Sequence, residues 1–188
     1  YTRELEPGPY YVTIEYPADQ TFTDVVIRME SGDLKLPRLQ ADTLDIRDEY
    51  GDVSLEGYTG TALNLFLSSG NLTAGTVAAE QAQLESEYGD VDLDGYTGSS
   101  LEIHMSSGNL SLGSVEAERM EIHNEYGEVL IDQAAGDSLT ADLSSGAFLT
   151  NGLDIKTLKV QNEYGTVRIR LSEDLSGYGY QLKTEYGS

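Results

Sequence analysis

The sequence predicts an all-β fold: a parallel β-solenoid, built as a single-stranded right-handed β-helix of 19-residue coils with two short strands in each coil. Three observations carry this prediction. Glu-Tyr-Gly recurs at intervals of 38 residues (87 − 49 = 38), beginning at Glu49, Glu87, Glu125 and Glu163. A second series of triplets ending in Ser-Gly lies midway, so that the shorter period is 19, beginning at Glu30, Ser68, Ser106 and Ser144. Apolar residues alternate with polar ones in two stretches of each unit, which is typical of strands with one buried face.

The first predicted element is an N-terminal cap at residues 1–29. This segment breaks the 19-residue register and contains the aromatic stretch from Tyr10 to Tyr16, which Pro17 closes. The terminal coil of a solenoid exposes backbone edges that promote aggregation. We therefore expect capping strands at this end.

Residues 30–171 form the predicted solenoid repeats. The fifth position of each unit is apolar, as in Val53, Leu72 and Val91, and stacking of such units places neighbouring coils about 4.8 Å apart. A 38-residue coil with Glu-Tyr-Gly on one side and Ser-Ser-Gly on the other is the alternative; the same positions are apolar in both kinds of unit, which favours 19. Glycine always fills the third position, which predicts a corner with positive φ, at Gly32, Gly51, Gly70, Gly89, Gly108, Gly127, Gly146 and Gly165.

Residues 172–188 are predicted to form an irregular C-terminal coil. The interval between Glu-Tyr-Gly triplets lengthens there, since 185 − 163 = 22. The last residues, Glu185 to Ser188, look like the opening of another repeat. We therefore expect the chain to be a piece of a longer protein, with any signal or anchor outside it.

The tyrosines of the repeat have two interpretations. In the favoured one they pack at the corner, over the apolar residue that precedes Ser-Ser-Gly in the next coil (Leu67, Met105 or Leu143). In the other they are exposed and bind a partner, because aromatic residues are enriched in interfaces. Tyr58 and Tyr96, in Gly-Tyr-Thr-Gly segments that we predict as turns, form a second series. The candidate partner surface comprises Tyr50, Tyr88, Tyr126, Tyr164, Glu49, Glu87 and Glu125.

Composition excludes several classes of partner. The net charge of −22, from 33 acidic and 11 basic residues, argues against nucleic acid and against anionic membrane surfaces. No cysteine is present, so thiolate metal sites and disulfides are excluded. No apolar run is long enough for a membrane-spanning helix, so we expect no membrane insertion by this segment.

Metal binding and catalysis are not favoured. The columns Glu49, Glu87, Glu125, Glu163 and Asp52, Asp90, Glu128 leave Ca²⁺ as a minor alternative to a solvated charged face. His104 and His123 are one period apart (123 − 104 = 19) and are predicted neighbours, but no third ligand accompanies them. Every acidic residue recurs with the repeat, whereas an active site normally breaks such symmetry. We therefore predict no catalytic residue and no cofactor.

The segment from Ile14 to Pro17, followed by FTDVVIRMESGDLKL and by the units SSGNLTAG and EYGDVDLDG, resembles a bacterial adhesin-type repeat family of unknown function. This resemblance implies a toast-rack-like β-helix in extracellular or cell-envelope proteins, some of them in Gram-positive envelope-stress systems of the Lia type. It brings no catalytic residues. We expect a non-catalytic module that binds a protein, a cationic peptide or a glycan. A regulatory domain of an envelope-stress protein is the alternative, and a glycan-processing enzyme is less favoured.

Overall fold

The chain folds into one stack of parallel strands. A computed structural model describes residues 16–17, 20–172 and 178–187. Within these residues every strand pairing is parallel, and no helix occurs. The predicted all-β parallel solenoid is therefore confirmed. The strands are β1 (Thr21–Met29), β2 (Leu34–Leu36), β3 (Leu39–Tyr50), β4 (Val53–Ser69), β5 (Leu72–Tyr88), β6 (Val91–Ser107), β7 (Leu110–Tyr126), β8 (Val129–Thr150), β9 (Leu153–Arg168) and β10 (Gly179–Gly187).

Each coil lies on the coil 19 residues before it. The sheet has the order β1-β3-β4-β5-β6-β7-β8-β9-β10, and β2 pairs with β4. Val53 pairs with Leu72, and Leu72 pairs with Val91, so like positions of successive coils are direct neighbours. This register confirms the 19-residue coil and excludes the 38-residue alternative.

The two strand stretches predicted for each coil are joined into one longer strand. β4, β5, β6 and β7 each run for 17 residues, and the predicted turn from Gly57 to Gly60 lies inside β4. Along β4 the paired register with β5 lapses only at Glu56, Thr61 and Ser68. Pairing with the next coil therefore continues around the bends, because all the other residues of β4 meet their counterparts one coil away.

The core is a set of apolar columns that run the length of the stack. Leu44, Leu63, Leu101 and Leu139 occupy one position of different coils, and each is at most 2% exposed. A buried side chain of this size stabilises the fold by roughly 1.5–3 kcal/mol relative to exposure. The gap between Leu65 and neighbouring core residues leaves no room for a water molecule. The described interior thus offers no ligand cavity at this place.

The corner glycines allow adjacent coils to approach closely. Gly89 has φ +141°, and a Cβ at this position would lie 1.9 Å from the carbonyl oxygen of Gly70. Only glycine fits, because both the backbone conformation and the space exclude a side chain. The same corner recurs once in each coil, with positive φ at Gly32, Gly51, Gly70, Gly89, Gly108, Gly127, Gly146 and Gly165.

Both ends of the stack differ from the predicted boundaries. β1 pairs with β3 in the 19-residue register, so Thr21–Met29, which fall within the predicted cap, already stack as part of the solenoid; residues 1–15 and 18–19 of the predicted cap lie outside the described part. At the other end β10 is a regular strand on β9, with Gly179 opposite Thr157 and thus an offset of 22 (179 − 157 = 22). Residues 173–177 lie outside the described part. None of the described residues forms a helix of the length and apolarity needed to cross a bilayer.

Candidate functional site

Four tyrosines stand out from one edge of the stack. Their exposed fractions are 62% for Tyr50, 61% for Tyr88, 59% for Tyr126 and 52% for Tyr164. The expectation that these rings pack at the corner is therefore wrong. We call Tyr50, Tyr88, Tyr126 and Tyr164 the tyrosine row.

The strand register explains why these rings do not pack at the corner. Tyr50 lies opposite Ser69, and Ser69 lies opposite Tyr88, so each tyrosine has serine as its neighbour on the next coil. Leu67, over which Tyr50 was expected to pack, faces the interior and is fully buried opposite Asp48. Tyr50 therefore lies opposite the position two residues after Leu67. Its ring is on the outer surface, whereas the Leu67 side chain is in the core.

A row of carboxylates accompanies the tyrosines. Glu49, Glu87, Glu125 and Glu163 each precede a tyrosine of the row and are exposed. In the described part of the chain none of these four residues forms an ion pair. The Ser68 hydroxyl donates a hydrogen bond to Glu87 at 3.0 Å. Lys183 lies near enough to Glu163 to interact with it electrostatically, whereas Glu49, Glu87 and Glu125 present negative charge that forms no ion pair among the described residues.

A ladder of Asp and Asn side chains follows the corner glycines. The side-chain oxygen Oδ1 of Asp52 accepts a hydrogen bond from the Asn71 backbone N–H at 2.8 Å, and Oδ1 of Asn71 accepts one from the Asp90 N–H at 2.9 Å. Asn109 and Glu128 continue the pattern, with distances of 2.7 and 3.0 Å. From Asp52 to Glu128, Asn alternates with acidic residues. On the coil before Asp52 the ladder residue is also acidic, since Oδ1 of Asp33 accepts a hydrogen bond from the Asp52 backbone N–H at 3.2 Å.

This ladder changes the interpretation of Asp52, Asp90 and Glu128. The Asp52 and Asp90 carboxylates each accept a hydrogen bond from a backbone N–H group. Asp90 lies between two asparagines, and Asp52 lies between Asp33 and Asn71. Within the described residues no group of three or more His, Cys, Asp or Glu side chains is arranged to hold a metal ion. The structure thus gives the Asp52 and Asp90 carboxylates a structural role at the corner.

The second tyrosine series belongs to the core. Tyr58 and Tyr96 are buried, so they offer no surface to a partner. The Tyr58 hydroxyl lies 2.7 Å from the Ala62 carbonyl oxygen and 2.9 Å from that of Ala41; Tyr96 makes the corresponding contacts with Ser100 and Ala79. Burial raises the pKa of both hydroxyls to about 12. The Gly-Tyr-Thr-Gly segment is therefore not a separate turn. It lies within a strand and holds a buried, hydrogen-bonded tyrosine.

A column of buried polar side chains runs beside the corner. Asp48, Ser86, Asn124 and Asn162 are each at most 4% exposed and alternate with Leu67, Met105 and Leu143. Nδ2 of Asn124 donates to the Gly108 carbonyl at 3.2 Å, and Nδ2 of Asn162 donates to that of Gly146 at 3.0 Å. The sequence indicated the alternation but not the burial of its polar members.

Asp48 is the ionisable member of this column. Neither of its carboxylate oxygens has a hydrogen-bond partner among the described residues. Burial raises the pKa of the Asp48 carboxyl; the Tyr50 backbone amide partly opposes this shift and the Asp33 carboxylate reinforces it. A negative charge at this position therefore weakens the fold.

The two histidines mark a second surface. Their rings stack at 4.7 Å and 17°, as the 19-residue spacing predicts. His104 contacts Glu102 at 2.7 Å, and His123 lies between Glu121 at 3.2 Å and Asp142 at 3.8 Å. They line an open groove of about 420 Å³ that reaches Lys183. The groove shares Glu125 and Glu163 with the acidic edge, while its histidines already contact carboxylates. The histidine pair is therefore a weaker candidate than the tyrosine row.

Some residues of the candidate site were missed in the sequence. Glu163 belongs with the glutamates of the partner surface, and Ser69, Ser107 and Ser145 separate the tyrosines along the edge. The signal was present in the spacing, because residues 19 apart are direct neighbours. Tyr88 and Ser107, for example, differ by 19 (107 − 88 = 19).

The stacked coils and their recurring corners define a class of protein: the single-stranded β-solenoid repeat proteins, in which like side chains form regularly spaced rows. Two overlapping regions, residues 9–113 and 61–188, match the family model described as Toastrack DUF4097. Together these matches cover nearly the whole chain, so the chain belongs to this family, whose function is unknown. Searches among curated proteins and among solved structures found no match.

Proposed function

We propose that this solenoid is a non-catalytic interaction module that binds a cationic polypeptide along the tyrosine row and its glutamates. The exposure of the tyrosines carries the proposal. A tyrosine that served only the fold would be buried and hydrogen-bonded, as Tyr58 and Tyr96 are. Tyr50 and Tyr88 have more than half of their surface in water instead.

Charge favours a cationic partner. Glu49, Glu87 and Glu125 lie beside the exposed rings and pair with no cation of the described residues. A lysine or arginine at this edge gains both a carboxylate and an aromatic face. The net charge of −22 also attracts cations over a Debye length of about 8 Å at physiological salt. From the sequence resemblance, we place this module at the cell surface or in the cell envelope.

The proposal is tested by removing the tyrosines without disturbing the fold. Serine already occupies the same position of the alternate coils, as at Ser69 and Ser107, so the fold accommodates it. The variant Tyr50→Ser/Tyr88→Ser/Tyr126→Ser/Tyr164→Ser is titrated with fluorescent oligo-arginine and oligo-lysine peptides, and binding is followed by anisotropy. We expect at least one of the peptides to bind about tenfold more weakly than it binds the unchanged protein.

A matched pair of glutamate variants separates local contacts from total charge. One carries Glu49→Gln, Glu87→Gln, Glu125→Gln and Glu163→Gln. The control carries Glu56→Gln, Glu80→Gln, Glu116→Gln and Glu118→Gln, which are exposed and unpaired in the described structure but lie elsewhere on the coils. We expect the first set to weaken binding more than the second.

Two outcomes contradict the proposal. Equal effects of the two glutamate sets, with no effect of the tyrosine variant, mean that the peptides respond to net charge alone. Stronger binding at high salt than at low salt contradicts the electrostatic attraction. Neutral oligosaccharides are titrated in parallel, and binding of these that depends on the tyrosines while peptide binding does not assigns the edge to glycans.

A further inference from the structure

We infer that the tyrosine row contains three slots that each bind one guanidinium group, and that the partner is an extended chain with an arginine at every third residue. This inference rests on the proposed function and makes it more specific. Each slot lies between two successive tyrosines of the row, above the serine of the intervening coil. The three serines are Ser69, Ser107 and Ser145.

Coil spacing sets the width of a slot. Adjacent strands are about 4.8 Å apart, so tyrosines on alternate coils are about 9.6 Å apart. Contact between carbon atoms requires about 3.5–4.0 Å. One planar group therefore fits between two successive rings, about 4.8 Å from each ring when centred and in contact with one face when shifted toward it, and a second group does not fit. Serine is small enough to leave this space open.

At the C-terminal end of the row, an aromatic ring of the chain itself occupies the position that a bound guanidinium would take in a slot. There the coil next to Tyr164 carries Tyr186 instead of serine, and the two rings stack at 5.1 Å and 8°. Tyr164 is accordingly the least exposed of the four, at 52% against 62% for Tyr50. A planar group placed one coil away from a row tyrosine thus stacks on its ring.

Guanidinium matches the slot in shape and in charge. It is planar, permanently charged and more weakly hydrated than an ammonium group, and it stacks on aromatic faces. Its N–H groups can also donate to the carboxylates beside each tyrosine, such as Glu87 and Glu125. A lysine ammonium is compact and strongly hydrated, so it gains less from two flat faces. A neutral ring would stack but would leave the carboxylates unpaired.

The spacing of the slots selects the conformation of the partner. Three residues of polyproline II helix span about 9.3 Å and bring side chains back to the same side, close to the slot repeat of about 9.6 Å. Two residues of a β-strand span about 6.6 Å, which is too short. Seven residues of an α-helix span about 10.5 Å and drift out of step over three slots. An arginine at every third residue of an extended chain fits best.

Peptides of fixed composition test this register on the unchanged protein. A polyproline-based peptide with arginine at every third residue is compared by calorimetry with the same peptide carrying lysine, and with an isomer that has its arginines at every second residue. We expect the first peptide to bind about tenfold more tightly than either of the others. Equal affinities of the three peptides would overturn the inference.

Closing the slots tests their location. The variant S69Y/S107Y/S145Y copies the Tyr164–Tyr186 arrangement, so it keeps the net charge and adds aromatic surface while filling each slot. We expect the every-third-arginine peptide to bind this variant about 10- to 100-fold more weakly. The control S69T/S107T/S145T leaves the slots open and should bind as the unchanged protein does.

The variants distinguish failure of the slots from failure of the proposed function. If slot closure leaves binding unchanged while Tyr→Ser substitution weakens it, the edge binds cations but the slots do not. If neither change matters, both proposals fall. Circular dichroism and thermal unfolding show whether the slot-closed variant is folded; if it is not, the peptide comparison on the unchanged protein decides the inference alone.

Discussion

The hydroxyl of Tyr58 lies 2.7 Å from the carbonyl oxygen of Ala62, inside the stack and away from water. The adjacent glycine makes this contact possible, because a Cβ on Gly60 would lie 2.2 Å from the same hydroxyl oxygen. The contact explains the tyrosine and the second glycine of the Gly-Tyr-Thr-Gly motif. The same motif is repeated at Tyr96 and Gly98.

Removing this hydroxyl should destabilise the fold. Tyr58→Phe leaves buried carbonyl groups without their donor, and we expect the free energy of unfolding to fall by about 1–3 kcal/mol. Urea denaturation followed by circular dichroism measures the change. Tyr88→Phe is the matched control, since Tyr88 is 61% exposed, and it should leave stability within about 0.5 kcal/mol. Equal effects at the two positions would remove the structural distinction between the two tyrosine series.

The corner glycine should tolerate no side chain. Gly89→Ala places a Cβ 1.9 Å from the Gly70 carbonyl oxygen at a residue with φ +141°, so we expect a loss of about 3 kcal/mol or more in the free energy of unfolding. Gly179→Ala serves as the control, because nothing lies within 4 Å of a Cβ there. Thermal unfolding of both variants checks the prediction. A Gly89→Ala protein as stable as the control would show that the coils are not in close contact at this corner.

Asp48 should make stability depend on pH. Its pKa is raised in the folded state above the ordinary value of 3.8, mainly by burial, so the folded state favours the protonated acid. The resulting stabilisation is present below the ordinary pKa and is lost as pH rises through the raised value. Asp48→Asn removes this loss and can donate to the Gly32 carbonyl, as Asn124 donates to that of Gly108.

We therefore expect Asp48→Asn to stabilise the protein by about 1–3 kcal/mol at neutral pH and by less near pH 3. Urea denaturation at the two pH values gives the difference between variant and unchanged protein, which isolates Asp48 from the many exposed carboxylates. A difference that is the same at both values, or larger in acid, contradicts the assignment of a buried charge to this column.

The neutral asparagines of the Asp and Asn ladder should also contribute to the free energy of unfolding. Asn71→Asp extends the pair Asp33 and Asp52 to four carboxylates on consecutive coils, at 33, 52, 71 and 90, and removes the hydrogen bond from Asn71 Nδ2 to Asp52. We expect a loss of about 1 kcal/mol that shrinks as salt is added. Gln81→Glu adds the same charge between Ala62 and Ser100, where no acid is adjacent, and should cost less. Similar losses in the two variants would mean that only net charge matters.

The sequence was sufficient to predict the architecture because its columns repeat. Gly51, Gly70 and Gly89 mark the corner, and Val53, Leu72 and Val91 mark the buried face. The exposure of Tyr50 was also available, since its neighbour 19 residues away is Ser69 rather than Leu67. The burial of Tyr58 could be inferred from Val77, which occupies the same column on the next coil.

Other features could not be predicted from composition and spacing. Asp48 and Asn124 are polar residues in the interior, and polar side chains are normally expected in solvent. Their burial becomes evident only when it is known that the side chains at this position of each coil point into the core. Tyr186 stacks on Tyr164 because the last coil, although 22 residues long rather than 19, still places these two residues side by side. The sequence alone does not specify that pairing.

The most direct test of the central claim is to locate a bound cationic chain on the protein by NMR. In a titration with the every-third-arginine peptide, we expect the largest amide shift changes at the corner of the tyrosine row, including the amides of Gly51, Gly89 and Gly127. The amides of Gly60 and Gly98, beside the buried tyrosines, should change little. Shift changes centred on the amides of His104 and His123, or spread evenly over the acidic surface, would contradict the account.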